Sequence, residues 1–345
     1  MKKKRAKPLL AGIDSLSLDK RNFDPSRDDI KGICRFFAIG KLQHFEKEKD
    51  IIVSHSNFFV FAATTQGAYA LKFYPRNQSK IIAKEYVLTR ILTNHHFPTP
   101  VMNAGLDGQP FIISNDLLVT CYSYIKGIPA WQNIKHIKTI RQINAAMLLL
   151  KNILSTTKRR IPFQKQERLT TAVNGLVQKS RSMAPYIHKK IIDASLRDAC
   201  RIYQGHQPQF TRQWLHNNAN LTNFLINQKT VYTLDLSHIK EDYILSDLAS
   251  LVISCLFFDI SKTSIKTIVK DYFKQHKIEP DYIPVLTALI KIGLVREYLK
   301  NIQREKSVEL SAHSPDLVRT YISHLAIRKE SIIAVLKKGG LNGLS

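Results

Sequence analysis

The hydrophobic period of this 345-residue chain changes once, near residue 125, and that change restricts the folds it can adopt. Before it, apolar residues alternate or come in short blocks, as strands require. From Cys34 to Tyr74 the pattern is strand-like: Ile51-Ile52-Val53 leads to Phe58-Phe59-Val60-Phe61, and Thr64-Thr65-Gln66-Gly67 makes a turn. Ala68 to Tyr74 follows as a further strand, and Leu117 to Ile125 as the strongest one. Between them, Lys80 to His95 predicts a helix with Ile81, Leu88 and Leu92 on one stripe, ended by Pro98-Thr99-Pro100. Asp107-Gly108 predicts a hairpin turn between short apolar segments.

Past Gly127 and Pro129 the period becomes helical. Ile137, Ile140, Ile143, Met147, Leu150 and Leu154 recur at three- and four-residue steps. Further helices are expected over about 167–182, 187–203, 246–258, 263–276, 282–302 and 315–338, the last capped by Ser314 and closed by Gly339-Gly340. Phe224-Leu225-Ile226 and Val231 to Leu234 flank Asn227-Gln228-Lys229 as a lone hairpin. The expected fold class is therefore α+β and bilobal. A flexible basic tail covers residues 1–30, and a small β-rich lobe with one helix covers 31–124. A larger, mostly helical lobe with the hairpin covers 125–338, before a short tail over 339–345. Ligands are expected in the cleft of such an arrangement.

Composition narrows the function. With 44% hydrophobic residues the chain can bury a core. Four cysteines, Cys34, Cys121, Cys200 and Cys255, stand far apart with no CxxC, which argues against a zinc site or a disulfide framework and fits a reducing cytoplasm. The longest nearly apolar run, Leu248 to Phe258, is too short to span a bilayer, and the apolar stretch after Met1-Lys2-Lys3-Lys4-Arg5 is too short for a signal peptide. A soluble, cytoplasmic protein is expected. The formal charge of +25 invites a nucleic-acid partner, but the basic residues lie in scattered pairs and triplets, without aromatic interleaving or finger spacing. A solvated lysine-rich surface that attracts anions explains them better, and no nucleic-acid partner is expected.

Four separated features carry chemistry. Lys72 shares its strand face with Ala68, Ala70 and Tyr74, which leaves room beside it for a phosphate. Glu85, thirteen residues on, interrupts the apolar stripe of its helix; buried, it would need Lys72 as a partner. The alternative is that Glu85 faces solvent and Ile82, Tyr86 and Ile91 form the buried face. The third feature is the polar loop His216-Asn217-Asn218-Ala219-Asn220-Leu221-Thr222-Asn223, and the fourth is Asp235 at the hairpin's far end. An acidic strand end opposite an Asn-bearing loop suits Mg²⁺, which takes one or two protein oxygens beside phosphates and water.

In this order and spacing the features resemble the protein-kinase-like superfamily of small-molecule kinases, namely aminoglycoside phosphotransferases, choline kinases and type II homoserine kinases. The family's loop reads His-Gly/Ala-Asp-Leu-x-x-x-Asn, then an Ile-Asp-Phe strand end and, twelve residues after its Asp, Asp-Leu-Ala. Here His216, Asn218 and Asn223 stand at the His, Asp and Asn places. Asp235 stands at the strand end, and Asp247-Leu248-Ala249 follows twelve residues later. The likeness covers roughly residues 35–300, including Gly67-x-Tyr69-x-Leu71-Lys72-x-Tyr74 and Phe97-Pro98-Thr99-Pro100. It implies a protein-kinase-like fold and ATP with Mg²⁺ as cofactors. Lys72 would sit on the α/β-phosphates with Glu85 supporting it, and Asn223 and Asp235 would hold the metal. The backbone near Tyr122 and Tyr124 would receive adenine, and Ser56-Asn57 matches the phosphate-covering turn. The partners would be nucleotide and a small-molecule hydroxyl, or a protein partner if the chain is an inactive scaffold.

The departures fall at the chemistry. Asn218 stands where the family has the aspartate that accepts or orients the hydroxyl proton, and an amide cannot be a general base. Asn217 and Asn220 replace other residue types, Ser54 replaces a glycine, and Leu236 replaces an aromatic. Losing a general base costs ~10²–10⁴ in rate, whereas phosphoryl transfer depends mostly on positioning and metal charge. The expectation is a phosphotransferase with weakened or altered catalysis, and the alternative is a nucleotide-binding pseudokinase.

Overall fold

The computed structural model of the protein describes residues 24–47, 58–134, 137–157, 169–183, 186–205 and 212–307. The chain divides into two units, Met1–Tyr86 with Pro100–Tyr124, and Val87–Thr99 with Ile125–Ser345.

In the first unit, Ser26 starts helix α1 (Arg27–Phe36) with a capping box: its hydroxyl accepts from the Asp29 N–H, and the Asp29 carboxylate accepts from the Ser26 N–H. Strands β1 (Leu42–Lys47), β2 (Phe58–Thr64) and β3 (Gly67–Pro75) follow, then helix α2 (Ser79–Asn94) and strands β4 (Met102–Asn103), β5 (Ile112–Ser114) and β6 (Leu117–Ser123). They form one antiparallel sheet in the order β1-β2-β3-β6-β4, with β5 also on β6. Side chains alternate across it. Leu71, Phe73, Val119 and Cys121 pack with Ile30, Ile33 and Cys34 of α1, whereas Tyr74, Leu118 and Tyr122 pack with Ile82 of α2. The central strand is therefore covered on both faces.

The second unit continues with β7 (Ile128–Pro129), α3 (Ala130–Asn133), α4 (Ile137–Thr157), α5 (Leu169–Met183) and α6 (Tyr186–Gly205). Strands β8 (Arg212–Leu215), β9 (Phe224–Asn227), β10 (Thr230–Thr233) and β11 (Lys240–Tyr243) come next, before helices α7 (Leu245–Phe257), α8 (Lys262–His276) and α9 (Ile283–Ser307). The hairpin of β9 and β10 takes β7 on its other edge, and β8 pairs with β11. Helix α7, buried nearly all round, lies in the core of the unit with α8 and α9.

Several expectations need correction. The polar stretch 1–30 does not end as a tail at 30, because α1 begins at Arg27; the β-rich unit thus carries α1 as well as the first half of α2. The hairpin turn is not Asp107-Gly108. It is Asn115-Asp116, both with positive φ (48° and 62°), joining β5 to β6. A two-residue turn of that hand needs two left-handed residues, which Asn and Asp tolerate. On α2, Ile81 is 38% exposed and Ile82 is buried in its place, with Leu88, Ile91 and Leu92. Residues 87–99 group with the helical unit, where Leu88, Leu92 and Phe97 pack with Leu150 and Leu154. The segment Ile51 to Asn57, with Ser54, Ser56 and Asn57, and the helix expected over 315–338 lie outside the described residues.

Candidate functional site

In the first unit, Lys72 sits at the centre of β3, opposite Phe59 of β2 and Thr120 of β6. It is only 5% exposed, so its ammonium lies within the protein and must find polar or π partners. Its Nζ stands 4.7 Å from the centroid of the Tyr74 ring and 5.7 Å from that of Phe59. Glu85, one turn beyond Ile82 on α2, is 2% exposed and accepts a 3.0 Å hydrogen bond from the Tyr74 hydroxyl. The solvent-facing alternative for Glu85 is thereby ruled out, although Ile82 and Ile91 are buried with it. The single Tyr74 hydroxyl proton goes to Glu85, so the Tyr122 hydroxyl, 3.3 Å away, donates to the Tyr74 oxygen. Burial first, then the Glu85 charge, pushes the Tyr122 phenol well above its ordinary range, while Lys72 pulls it down. Lys72, Tyr74, Glu85 and Tyr122 thus form one buried polar cluster.

The side chain of Tyr122 therefore points into this cluster, and its backbone pairs within the sheet. The Ser123 and Tyr124 N–H groups donate to the Val101 and Ala68 carbonyls. Tyr124 is half exposed, edge-on to Phe61 at 5.5 Å.

In the second unit the loop from His216 to Asn223 is held from beneath by Asp247 in the first turn of α7. Its carboxylate accepts the His216 N–H at 3.0 Å and the Asn217 N–H at 2.7 Å. Asn217 bends the chain through a left-handed φ of 60° and secures the bend by donating to the Lys240 carbonyl. Burial raises the Asp247 carboxyl pKa; the neighbouring His216 and the two N–H groups oppose it. His216 is fully buried, and its Nε2 lies 2.8 Å from the Leu234 carbonyl. A carbonyl can only accept, so Nε2 carries the proton, and Nδ1 is left buried without a hydrogen-bond partner among the described residues. His216 is thus a brace between the loop and the strand end that carries Asp235.

Further along the loop, Asn220 caps a short 3₁₀ turn, and its Oδ1 accepts from the Thr222 N–H and the Ser254 hydroxyl. Asn223 donates Nδ2 to the Asn218 carbonyl at 2.8 Å, which leaves its Oδ1 as a hard oxygen acceptor. Asp235 takes a left-handed conformation (φ 54°, ψ 66°) at the end of the hairpin. Its carboxylate accepts from the Ser237 hydroxyl at 2.8 Å and from Asn218 Nδ2 at 3.4 Å, with His238 Nε2 at 3.8 Å. The structure therefore brings His216, Asn218, Asn223 and Asp235 together, and Lys72, Glu85 and Tyr122 together in the other unit. An amide oxygen and a carboxylate are the donor set that a small hard cation takes beside phosphates and water, so these residues fit a divalent ion. Among the described residues no group of three His, Cys, Asp or Glu could hold one.

Sequence reasoning missed the work of Tyr74, Asn217, Ser237 and Ser254. Tyr74 had a signal, since it lies two residues after Lys72 on the same strand face. Asp247 was located by its spacing, but its contacts with the loop backbone were not.

Comparisons with known proteins bear on these two clusters. A family model described as the phosphotransferase enzyme family matches residues 52–282. An amicoumacin kinase solved with AMP-PNP, Ca²⁺ and Ami superposes with a TM-score of 0.67 at 13% identity, over 86% of this chain and 91% of that one. An aminoglycoside phosphotransferase from Alicyclobacillus acidocaldarius gives 0.68 at 11% identity, over 93% and 98%. A choline kinase from Cryptosporidium parvum gives 0.64 at 14%, over 92% and 98%. At such identities the likeness is one of fold, the kinase-like α+β fold of small-molecule kinases. No curated protein matches the chain by sequence.

Proposed function

Because this chain belongs to the phosphotransferase enzyme family, we propose that it binds ATP with a divalent cation, Mg²⁺ in the cell, and transfers the γ-phosphoryl group to a small-molecule hydroxyl. Its chemistry is weakened by the amide at position 218. The hydroxyl would belong to an amino alcohol, an amino acid or a sugar. One observation carries the reading: Asp247, His216 and Asn217 hold a loop in which Asn223 and Asp235 present an amide oxygen and a carboxylate beside Asn218.

In this reading Lys72 neutralises phosphate charge, with Glu85 and Tyr74 keeping its ammonium in place. Asn223 and Asp235 would hold the cation, which when bound draws charge off the phosphates. Asn218 donates Nδ2 to Asp235, which leaves its Oδ1 as an acceptor for a substrate hydroxyl. That oxygen can align a substrate hydroxyl but has no lone pair basic enough to remove the proton. With a loose transition state the proton leaves late, so alignment alone supports slow transfer.

The test is binding first and turnover second. ATP at a hundred times its Kd should stabilise the protein by about 2.7 kcal/mol, and only when Mg²⁺ is present. A screen of hydroxyl-bearing metabolites for ATP consumption then identifies the substrate. No stabilisation at any nucleotide concentration would end the proposal. Stabilisation with no turnover would leave a nucleotide-binding pseudokinase, the second reading, which Asn218 alone favours.

A further inference from the structure

Lys72 and Glu85 meet at one aromatic ring. Lys72 Nζ lies 4.7 Å from the Tyr74 centroid, and the Glu85 carboxylate accepts the Tyr74 hydroxyl at 3.0 Å. We propose that Tyr74 is a positioning residue for the nucleotide site, setting the ammonium of Lys72 on its ring face and the carboxylate of Glu85 on its hydroxyl. The inference rests on the reading of Lys72 as a phosphate-binding residue.

The surroundings argue for a dedicated role. Tyr74 is 1% exposed and packs among Ile82, Met102 and Leu118, where a phenylalanine would fill the same space. Burying a hydroxyl there is unfavourable unless it is bonded, and here two tyrosine hydroxyls are buried side by side. Their protons run one way, Tyr122 to Tyr74 to Glu85, so Tyr122 fixes the orientation of the Tyr74 hydroxyl. The Tyr122 phenol stays protonated across the physiological range, because burial and the Glu85 carboxylate each oppose its ionisation. The strand register supplies the geometry. Lys72 and Tyr74 share one face of β3, and opposite Tyr122 stands Ala70, whose single methyl leaves that ring unobstructed.

A lysine has four flexible methylenes and much rotamer freedom to lose on being fixed. A ring under its ammonium reduces the states that it samples before the phosphates arrive, which is a gain in affinity through preorganisation.

Calorimetric titration with Mg·ATP tests this on the parent, Tyr74→Phe, Tyr74→Leu, Glu85→Gln and the Tyr74→Phe/Glu85→Gln double variant. Tyr74→Phe keeps the ring and should weaken binding about three- to tenfold, while Tyr74→Leu removes both contacts and should weaken it about thirtyfold. In the Glu85→Gln background Tyr74→Phe should add less than about twofold, because its hydroxyl acts through that carboxylate. A residue that merely packs would lower the melting temperature and leave the two effects independent. If Tyr74→Leu fails to fold, Tyr122→Phe replaces it, with an expected loss of about two- to threefold that vanishes in the Tyr74→Phe background. Variants that bind like a binding-competent parent, or effects that multiply independently, overturn the inference while leaving the nucleotide site standing. A parent that does not bind Mg·ATP overturns the reading and the inference with it.

Discussion

Replacing Asp247 tests whether one buried carboxylate carries the loop on which the chemistry depends. Its two oxygens each accept one backbone N–H, from His216 at 3.0 Å and from Asn217 at 2.7 Å, and the side chain is 2% exposed. Asp247→Asn keeps the shape but offers only one oxygen, and its amide nitrogen then faces an N–H. One buried donor loses its acceptor, which costs about 1–3 kcal/mol. Asp247→Ala strips both acceptors and should cost about 2–6 kcal/mol on the same scale, a large part of the 5–15 kcal/mol that holds a domain together. The assay is built into the chain. Its two tryptophans, Trp131 and Trp214, both belong to the helical unit, and Trp214 lies buried two residues before His216. Denaturant unfolding followed by tryptophan fluorescence therefore reports on the unit that holds Asp247. A midpoint shift with unchanged slope, larger for Ala than for Asn, is expected. If the Asn variant matches the parent and the Ala variant loses less than about 1 kcal/mol, the carboxylate does not hold the loop and the account of the site is wrong.

Other outcomes follow from the same geometry. In the proposed site Lys72→Ala would remove a charge from the phosphates and Asp235→Ala a metal ligand, so each should weaken Mg·ATP binding at least tenfold, about 1.4 kcal/mol; calorimetry that finds either variant unchanged removes that residue from the site. His276 stacks on Tyr272 at 3.9 Å and lies 3.4 Å from Lys151 Nζ; burial first, then Lys151, depresses its pKa to about 3. An unfolded histidine titrates near 6.5, so the unfolded state binds more protons between these values. Stability from the neutral ring is complete above about pH 6.5 and is lost as pH falls toward 3. His276→Phe keeps the stack and should flatten this acid limb in thermal melts taken from pH 7 to pH 4; an unchanged limb would show that His276 does not drive it.

The change of period near residue 125 was enough to read a β-rich part followed by a helical one. Helices expected over 246–258 and 263–276 appear as Leu245–Phe257 and Lys262–His276, because long apolar stripes are strong signals. Helix α1 escaped notice inside a charged stretch, although Ser26-x-x-Asp29 ahead of Ile30, Ile33 and Cys34 is a capping box before an apolar stripe. The turn at Asn115-Asp116 was passed over for Asp107-Gly108 because glycine is the louder signal, while two left-handed residues without glycine leave little trace. Spacing singled out His216, Asn218, Asn223 and Asp235, which the structure brings together. It could not show that Asn218 donates to Asp235 or that Tyr74 touches both Lys72 and Glu85, because those contacts depend on side-chain directions across strands and turns.

The central claim of the proposal is that an amide at position 218 limits phosphoryl transfer. The direct measurement is transfer from γ-labelled ATP by the parent and by Asn218→Asp, with saturating Mg²⁺ and the best hydroxyl acceptor. Asn218 Nδ2 stands 3.4 Å from the Asp235 carboxylate, so the substitution places a second carboxylate beside the first. Without a cation the two repel and one binds a proton; with a cation beside them both stay ionised, and the new one can act as a base. The account predicts a rise of about ten- to a thousandfold that depends on the divalent ion. A parent that already turns over at ~1–100 s⁻¹, or a folded, Mg·ATP-bound Asn218→Asp variant that stays inert, would contradict it.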